Sequence, residues 1–169
     1  DASVRKSNRA IGAYGVHIGV ALIVIGIAFS GTYKQEIQTR ISRGETVTLD
    51  QYTFKYKELY EGEAIEYIFL QAEIDVFEGE KFLGTLEPQR RLYNKFGKDR
   101  SFAEVSIIPS FGEELYSSLL GADAQGNITV TLSIEPMVNW FWIGGTIMCL
   151  FPFIGFTRFR KSEKVTDAA

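Results

Sequence analysis

Two stretches of this 169-residue chain, residues 10–33 and residues 136–157, contain no Asp, Glu, Lys or Arg. A helix needs about 20 apolar residues to cross a hydrocarbon layer of ~30 Å, and both stretches reach that length. The first holds the unbroken run Val20-Ala-Leu-Ile-Val-Ile-Gly-Ile-Ala-Phe29; the second begins near Trp140 and Trp142, residue types that favour the membrane–water boundary. They predict transmembrane helices over 10–31 and 137–157. A cleaved leader would have a shorter apolar core. Ala28-Phe-Ser30-Gly31 faintly imitates a cleavage site, but a leader would leave the second stretch unexplained.

The charges divide around these gaps. Residues 1–9 carry Arg5, Lys6 and Arg9 against Asp1, residues 158–169 carry Arg158, Arg160, Lys161 and Lys164 against two acids, and residues 34–135 carry 11 basic and 18 acidic residues. The formal net charge of −3 is therefore two basic flanks around a strongly acidic middle, and it describes no single surface. Basic flanks stay on the cytoplasmic side. The predicted order is a cytoplasmic flank (1–9), a span (10–31), an extracytoplasmic domain (32–136), a second span (137–157) and a cytoplasmic tail (158–169) ending in a disordered Lys164–Ala169. A first residue other than Met, close to a span, suggests a fragment or one chain of a larger polytopic protein. Location and acidity exclude nucleic acid as a partner.

The acidic middle is long enough for a core of its own and carries mostly strand patterns. Six segments are rich in β-branched and aromatic residues: 46–49, 52–56, 67–77, 81–86, 103–108 and 128–134. Glu78-Gly79-Glu80-Lys81 predicts a hairpin, Ala124-Gln-Gly126-Asn127 a turn into the last strand, and Gly112 to Leu120 a helix. The predicted fold class is a membrane protein: two transmembrane helices flanking a mainly antiparallel β domain, a small barrel or sandwich.

The β domain contains neither His nor Cys, so it has no soft-metal site and no His- or Cys-based nucleophile. Glu58, Glu61, Glu63 and Glu66, and the pair Glu113-Glu114, read as solvated acidic surface. Arg90, Arg91, Lys95, Lys98 and Arg100 either meet an acidic partner or a propionate or balance the surrounding acid. The sequon Asn127-Ile-Thr129 is too common a pattern to imply glycosylation. Cys149, the single cysteine, excludes an intrachain disulfide and reads as a small packing residue of the second span.

His17, the only histidine, falls inside the first span. An ionisable side chain there is a functional candidate by default, and uncharged imidazole is the form that ligates metals. Ala13 and Ala21, one turn either side on the same face, leave room for a flat group such as a haem macrocycle. Equally, His17 could hydrogen-bond a neighbouring helix while Gly12, Gly15, Gly19 and Gly26 allow close packing. The residues alone leave both readings open.

Four groups of residues stand in a particular order. Asn8-Arg9 and Gly12 precede Val16-His17-Ile-Gly19-Val-Ala21-Leu and Ile25-Gly26-Ile-Ala28. Gly44-Glu45, Leu49 and Tyr52 follow, then Leu86-Glu-Pro88-Gln-Arg-Arg91-Leu-Tyr93, Ala103-Glu104-Val105, Glu114-Leu-Tyr116 and Leu120-Gly121. Last come Pro136, Trp140-Phe-Trp142-Ile-Gly-Gly145 and Met148. In this order they resemble the carboxyl-terminal part of the CcmF family, membrane haem lyase subunits of cytochrome c-type biogenesis, and its relatives in nitrite reductase assembly. The chain departs from that pattern at Leu150-Phe151-Pro152, where the family has Leu-Gly-Gly.

The resemblance implies that His17 is one of two intramembrane histidines holding the iron of a haem b, the second lying outside this chain together with a tryptophan-rich, haem-presenting segment and two outer histidines. It implies the C-terminal portion of a complex that joins haem vinyl groups to the Cys-x-x-Cys-His thiols of apocytochrome c, with no catalytic residue in this portion. The haem b would help to keep the incoming iron reduced. The implied partners are the remaining spans of the lyase in the same or a companion chain, haem-delivery and thiol-redox assembly proteins, and apocytochrome c. The implied location is a bacterial or archaeal cytoplasmic membrane with the β domain on the periplasmic side. The competing expectation is a two-span membrane-anchored binding module, or a transport-accessory subunit, without haem.

Overall fold

The computed structural model describes residues 2–93 and 101–156, with side chains over 9–93 and 101–154. Lys95, Lys98, Arg100 and the tail 158–169 lie outside the described residues, as do the side chains of Arg5 and Lys6. Helix α1 (Ala2–Tyr33) is followed by β1 (Gln35–Ile41), β2 (Thr46–Leu49), β3 (Tyr52–Glu63), β4 (Tyr67–Glu78), β5 (Lys81–Leu86) and β6 (Gln89–Tyr93). Then come β7 (Ser101–Glu104), β8 (Ser106–Ile108), β9 (Glu113–Ala122), β10 (Ile128–Pro136) and helix α2 (Val138–Phe156). The chain divides into two compact units, Ala28–Asn139 and the helical unit Asp1–Ile27 with Trp140–Ala169.

The first unit is an antiparallel β-sandwich. One sheet has the order β1-β10-β9-β8, the other β2-β3-β4-β6-β7 with β5 beside β4. The long strand β4 pairs with β3 along one edge and divides the other between β6, at Tyr67–Gln71, and β5, at Ile74–Glu78. Period-two alternation turns Phe54, Tyr56, Ala72, Ile74, Val76 and Leu86 of one sheet inward with Ile41, Leu115, Leu119, Ile128, Val130, Leu132 and Ile134 of the other. Burying a large apolar side chain stabilises by roughly 1.5–3 kcal/mol, so this cluster holds the sheets together. The chain enters on β1 and leaves on β10, which are paired, with Gln35 opposite Ile134.

Two turns follow directly from residue chemistry. Gly79, at φ 59°, takes the left-handed conformation that the tight β4–β5 hairpin requires. Between β9 and β10 the Asp123 carboxylate accepts the backbone N–H groups of Gln125 and Asn127, both at 2.9 Å, and the Asn127 side-chain amide at 2.8 Å. The asparagine of the sequon is therefore a turn residue.

Three expectations are corrected. The segment predicted as a helix, Gly112 to Leu120, is strand β9 (Glu113–Ala122). The four-residue spacing of Leu115 and Leu119 suits a helix, but Ser117 is buried between them, and pairing with β8 on one side and β10 on the other imposes period two. The single strand expected over 103–108 is broken at Val105 into β7 and β8, which belong to different sheets. Ten strands stand among the described residues rather than six: the break at Val105 adds one, β9 is the segment predicted as a helix, and β1 and β6 carry too many polar residues to register as strands by composition.

In the helical unit, α1 runs unbroken past both predicted ends of its apolar segment. Arg9–Tyr33 is the one described helix long and apolar enough to cross a membrane; the apolar part of α2, Val138–Ile154, is shorter. Gly12, Gly15, Gly19 and Gly26 of α1 are buried. A Cβ on Gly19 would lie 2.7 Å from the Gly144 carbonyl oxygen and 2.8 Å from the Met148 nitrogen, so here the two backbones touch. The ring of Phe151 fills the space that a Cβ on Gly15 would need.

Candidate functional site

His17 is exposed on α1, about half a turn around the helix from the buried glycines. Its Nδ1 lies 2.7 Å from the carbonyl oxygen of Ala13. A carbonyl can only accept, so Nδ1 carries the proton, and in the uncharged ring Nε2 keeps its lone pair in the plane of the ring. Such a bond from the second ring nitrogen fixes both tautomer and orientation, as it does for metal-ligating histidines generally. Ala13 and Ala21 on the same side are exposed as well. Gluing α1 to α2 would put His17 on the glycine face, and it stands on the opposite one.

The outer surface of the six-stranded sheet carries the second concentration of features. Tyr67 of β4 pairs with Tyr93 of β6, their rings 5.1 Å apart, and Tyr93 lies 5.7 Å from Phe102 of β7. The Arg91 guanidinium stands 4.8 Å above the Tyr67 ring and 3.3 Å from the Glu104 carboxylate. Cations over aromatic faces are attracted by the ring quadrupole. Arg90 turns the other way and donates to the Leu120 carbonyl of the second sheet and to Ser101 Oγ of the neighbouring strand β7. The basic run of the sequence is therefore split between two faces at its first two residues, and the remaining three are not described.

Toward β3 the same surface carries an ionic network. Lys57 lies 2.5 Å from Glu73 and 3.5 Å from Asp75, the Tyr60 hydroxyl donates to Glu73 at 3.0 Å, and Arg43 pairs with Glu58. The Lys57 ammonium first, and the Tyr60 hydroxyl second, hold the Glu73 carboxyl below the usual range. Exposed pairs of this kind contribute little to stability. On the other sheet, burial first, and then the hydrogen bond to Glu114 at 2.8 Å, push the Tyr116 phenol up to about 12. Among the described residues no three or more His, Cys, Asp or Glu come together to hold a metal ion. Period-two spacing within Arg91-Leu-Tyr93 and Tyr67-Ile-Phe69 was the available signal for the aromatic face.

Residues 32–136, well over half of the chain, match the family described as the CcmF C-terminal beta-sandwich. The chain is 30% identical over 151 residues to the cytochrome c-type biogenesis protein NrfE of Haemophilus influenzae, covering 88% of this chain and 23% of that protein. It is 32% identical over 134 residues to CcmF of Pseudomonas aeruginosa, with 79% and 20% covered. It is 30% identical over 156 residues to CcmF of Escherichia coli, with 89% and 23% covered. The chain thus spans about a fifth to a quarter of the length of these curated relatives. Among solved structures it is similar to a chain titled cytochrome c heme lyase CcmF, with TM-score 0.77 and 18% identity over 91% of this chain and 26% of that one. At that identity the likeness is one of fold.

Proposed function

The chain belongs to the CcmF family, and from that membership we propose that it is the C-terminal portion of a membrane cytochrome c haem lyase, contributing one axial ligand to a haem b and an outer domain on which partners dock. Both apolar helices cross a bacterial or archaeal cytoplasmic membrane in this reading, with the basic ends inside and the sandwich on the periplasmic side. The second ligand histidine comes from the remaining spans, in the same or a companion chain. Haem-delivery proteins, thiol-redox proteins and apocytochrome c meet the sandwich.

One observation carries the ligand assignment: the bond from His17 Nδ1 to the Ala13 carbonyl, 2.7 Å long, on the side of α1 away from α2. It leaves Nε2 as donor to iron and holds the ring against rotation. Ala13 and Ala21 keep the helix flat on either side of the ring, and the packing of Gly19 on Gly144 keeps α2 behind it. A bound haem supplies a one-electron couple at membrane depth. The sandwich offers Arg91 and its aromatic neighbours as a contact surface and carries neither His nor Cys.

The test is the reduced-minus-oxidised spectrum of the assembled complex, with haem quantified per protein. His17→Ala is expected to remove the b-type absorption while the chain remains inserted and associated, because Ala is a good helix former. His17→Cys is expected to shift the absorption, since a thiolate also ligates haem iron. Unchanged haem content and spectrum in His17→Ala would overturn the assignment and favour a membrane-anchored binding module.

A further inference from the structure

Strand β10 gives way to α2 through one residue, Met137, whose φ of 59° is in the left-handed region that side chains disfavour. The loop Pro109–Gly112 supports this joint from the side. The Met137 N–H donates to the Gly112 carbonyl at 2.7 Å, and the Asn139 side-chain amide donates to the Ser110 carbonyl. Ser110 Oγ in turn donates to the Glu113 carbonyl at 2.5 Å. Asn139 stands in the first turn of α2, and Trp140 is the next residue of the chain. The loop is thus fastened at two points to the residues on which the apolar helix begins.

Phe111, at the tip of this loop, is 69% exposed. The neighbouring turns at the same end of the sandwich are polar: Asp50-Gln51, tied in by Gln35 to Asp50 at 3.3 Å and Gln51 to Glu113 at 3.4 Å, and Gly79-Glu80, which joins β4 to β5. Phe111 is therefore an exposed apolar residue among polar turns, on a loop tied to Met137 and Asn139, the residues through which the chain enters α2. Rings in that situation gain by entering the headgroup layer, where an apolar body finds hydrocarbon without leaving the water boundary.

From this juxtaposition we propose that Phe111 is a lipid anchor of the sandwich, its ring seated in the interfacial layer of the outer leaflet at the start of α2. The proposal rests on the reading of α2 as a membrane span. The polar turns stay in water, and the acids Asp50, Glu78 and Glu113 at this end favour a zwitterionic phospholipid surface over an anionic one. The domain is thereby held by a third point in addition to its two chain crossings.

The experiment places an environment-sensitive NBD label on single cysteines at Phe111, Gln125 and Leu150, each in a Cys149→Ala background, with the chain in phosphatidylcholine vesicles. Gln125 is in the turn at the far end of β10, and Leu150 is on α2. The label at 111 is expected to emit toward the blue and to be quenched by lipids carrying a nitroxide near the headgroup. The label at 125 should remain quenchable by aqueous iodide, and the label at 150 should be quenched by a deep nitroxide. A water-like label at 111 with a membrane-embedded label at 150 overturns the anchor and leaves the span reading intact. Water-like labels at both 111 and 150 overturn the span reading and the anchor with it.

Discussion

The sandwich and the helical unit are built from the same kinds of apolar residue, facing in opposite directions. In the sandwich, Phe54, Tyr56, Ile74, Leu119 and Leu132 are fully or almost fully buried, and the exterior carries charge. In α1 and α2 Gly12, Gly15, Gly19, Gly26 and Gly144 are buried, while Ile18, Val24, Ile27, Trp142 and Phe153 are more than half exposed. Water drives side chains together in the first case. Where the surroundings are hydrocarbon, side chains gain nothing by turning inward, and helices instead meet through small residues whose backbones approach closely. The difference teaches that burial alone does not identify a core; what surrounds a unit decides which residues belong inside it.

The largest effect should come from removing a sandwich core side chain and comparing it with an outward one of the helical unit. Phe54→Ala is expected to cost about 3–5 kcal/mol in urea unfolding of the sandwich, whereas Val24→Ala should leave that transition unchanged. Equal effects would erase the distinction between the two units. A smaller effect tests the helical unit from its buried side. Gly19→Ala sets a Cβ 2.7 Å from a backbone oxygen, so proximity-based cross-linking of α1 to α2 in vesicles should weaken by about 1–3 kcal/mol. Ala is the better helix former by about 1 kcal/mol, and a tighter helix pair would show that close approach is not what joins them.

The smallest effect lies where the sandwich buries charge. Burial first, and then the carboxylates of Asp50 and Glu78, raise the pKa of Glu113. A carboxyl whose pKa is higher folded than unfolded lends stability that is complete below its unfolded pKa and lost as pH rises through its folded one. Glu113→Gln should therefore stabilise the sandwich at neutral pH by about 0.5 kcal/mol or less, the gain fading once Glu113 of the parent chain is protonated. Urea titrations at several pH values decide it, and a loss of stability at neutral pH would contradict the sign. Tyr116, pushed up to about 12, obeys the same rule at the alkaline end, with its contribution lost as pH rises from 10 through 12.

The elements legible in the sequence were those with one dominant signal. The charge-free run of α1, the alternation in β4 and β10 and the Gly79 hairpin each rest on chemistry local to a few residues. Strand β9 was not legible, because Leu115 and Leu119 serve either period and only its neighbours β8 and β10 decide between them. At the candidate site, His17 stood out as the only histidine, but its tautomer and its face required coordinates. The opposed directions of Arg90 and Arg91 were written in the strand period and hidden by the similarity of their charges. Phe111 was invisible as a tip, since nothing in Pro109-Ser-Phe-Gly112 reveals that Met137 and Asn139 fasten the loop.

The pairing of Gln35 with Ile134 also bears on how such a domain travels. A domain whose first and last strands are hydrogen-bonded neighbours asks its host for a gap only about one strand spacing wide, ~5 Å. It can be grafted into a helical hairpin in place of an ordinary loop, or excised and its ends closed by a few residues, without dislodging a strand. Transplanting residues 32–136 between the spans of a distant relative should therefore leave the host helices in register, making the sandwich the exchangeable part.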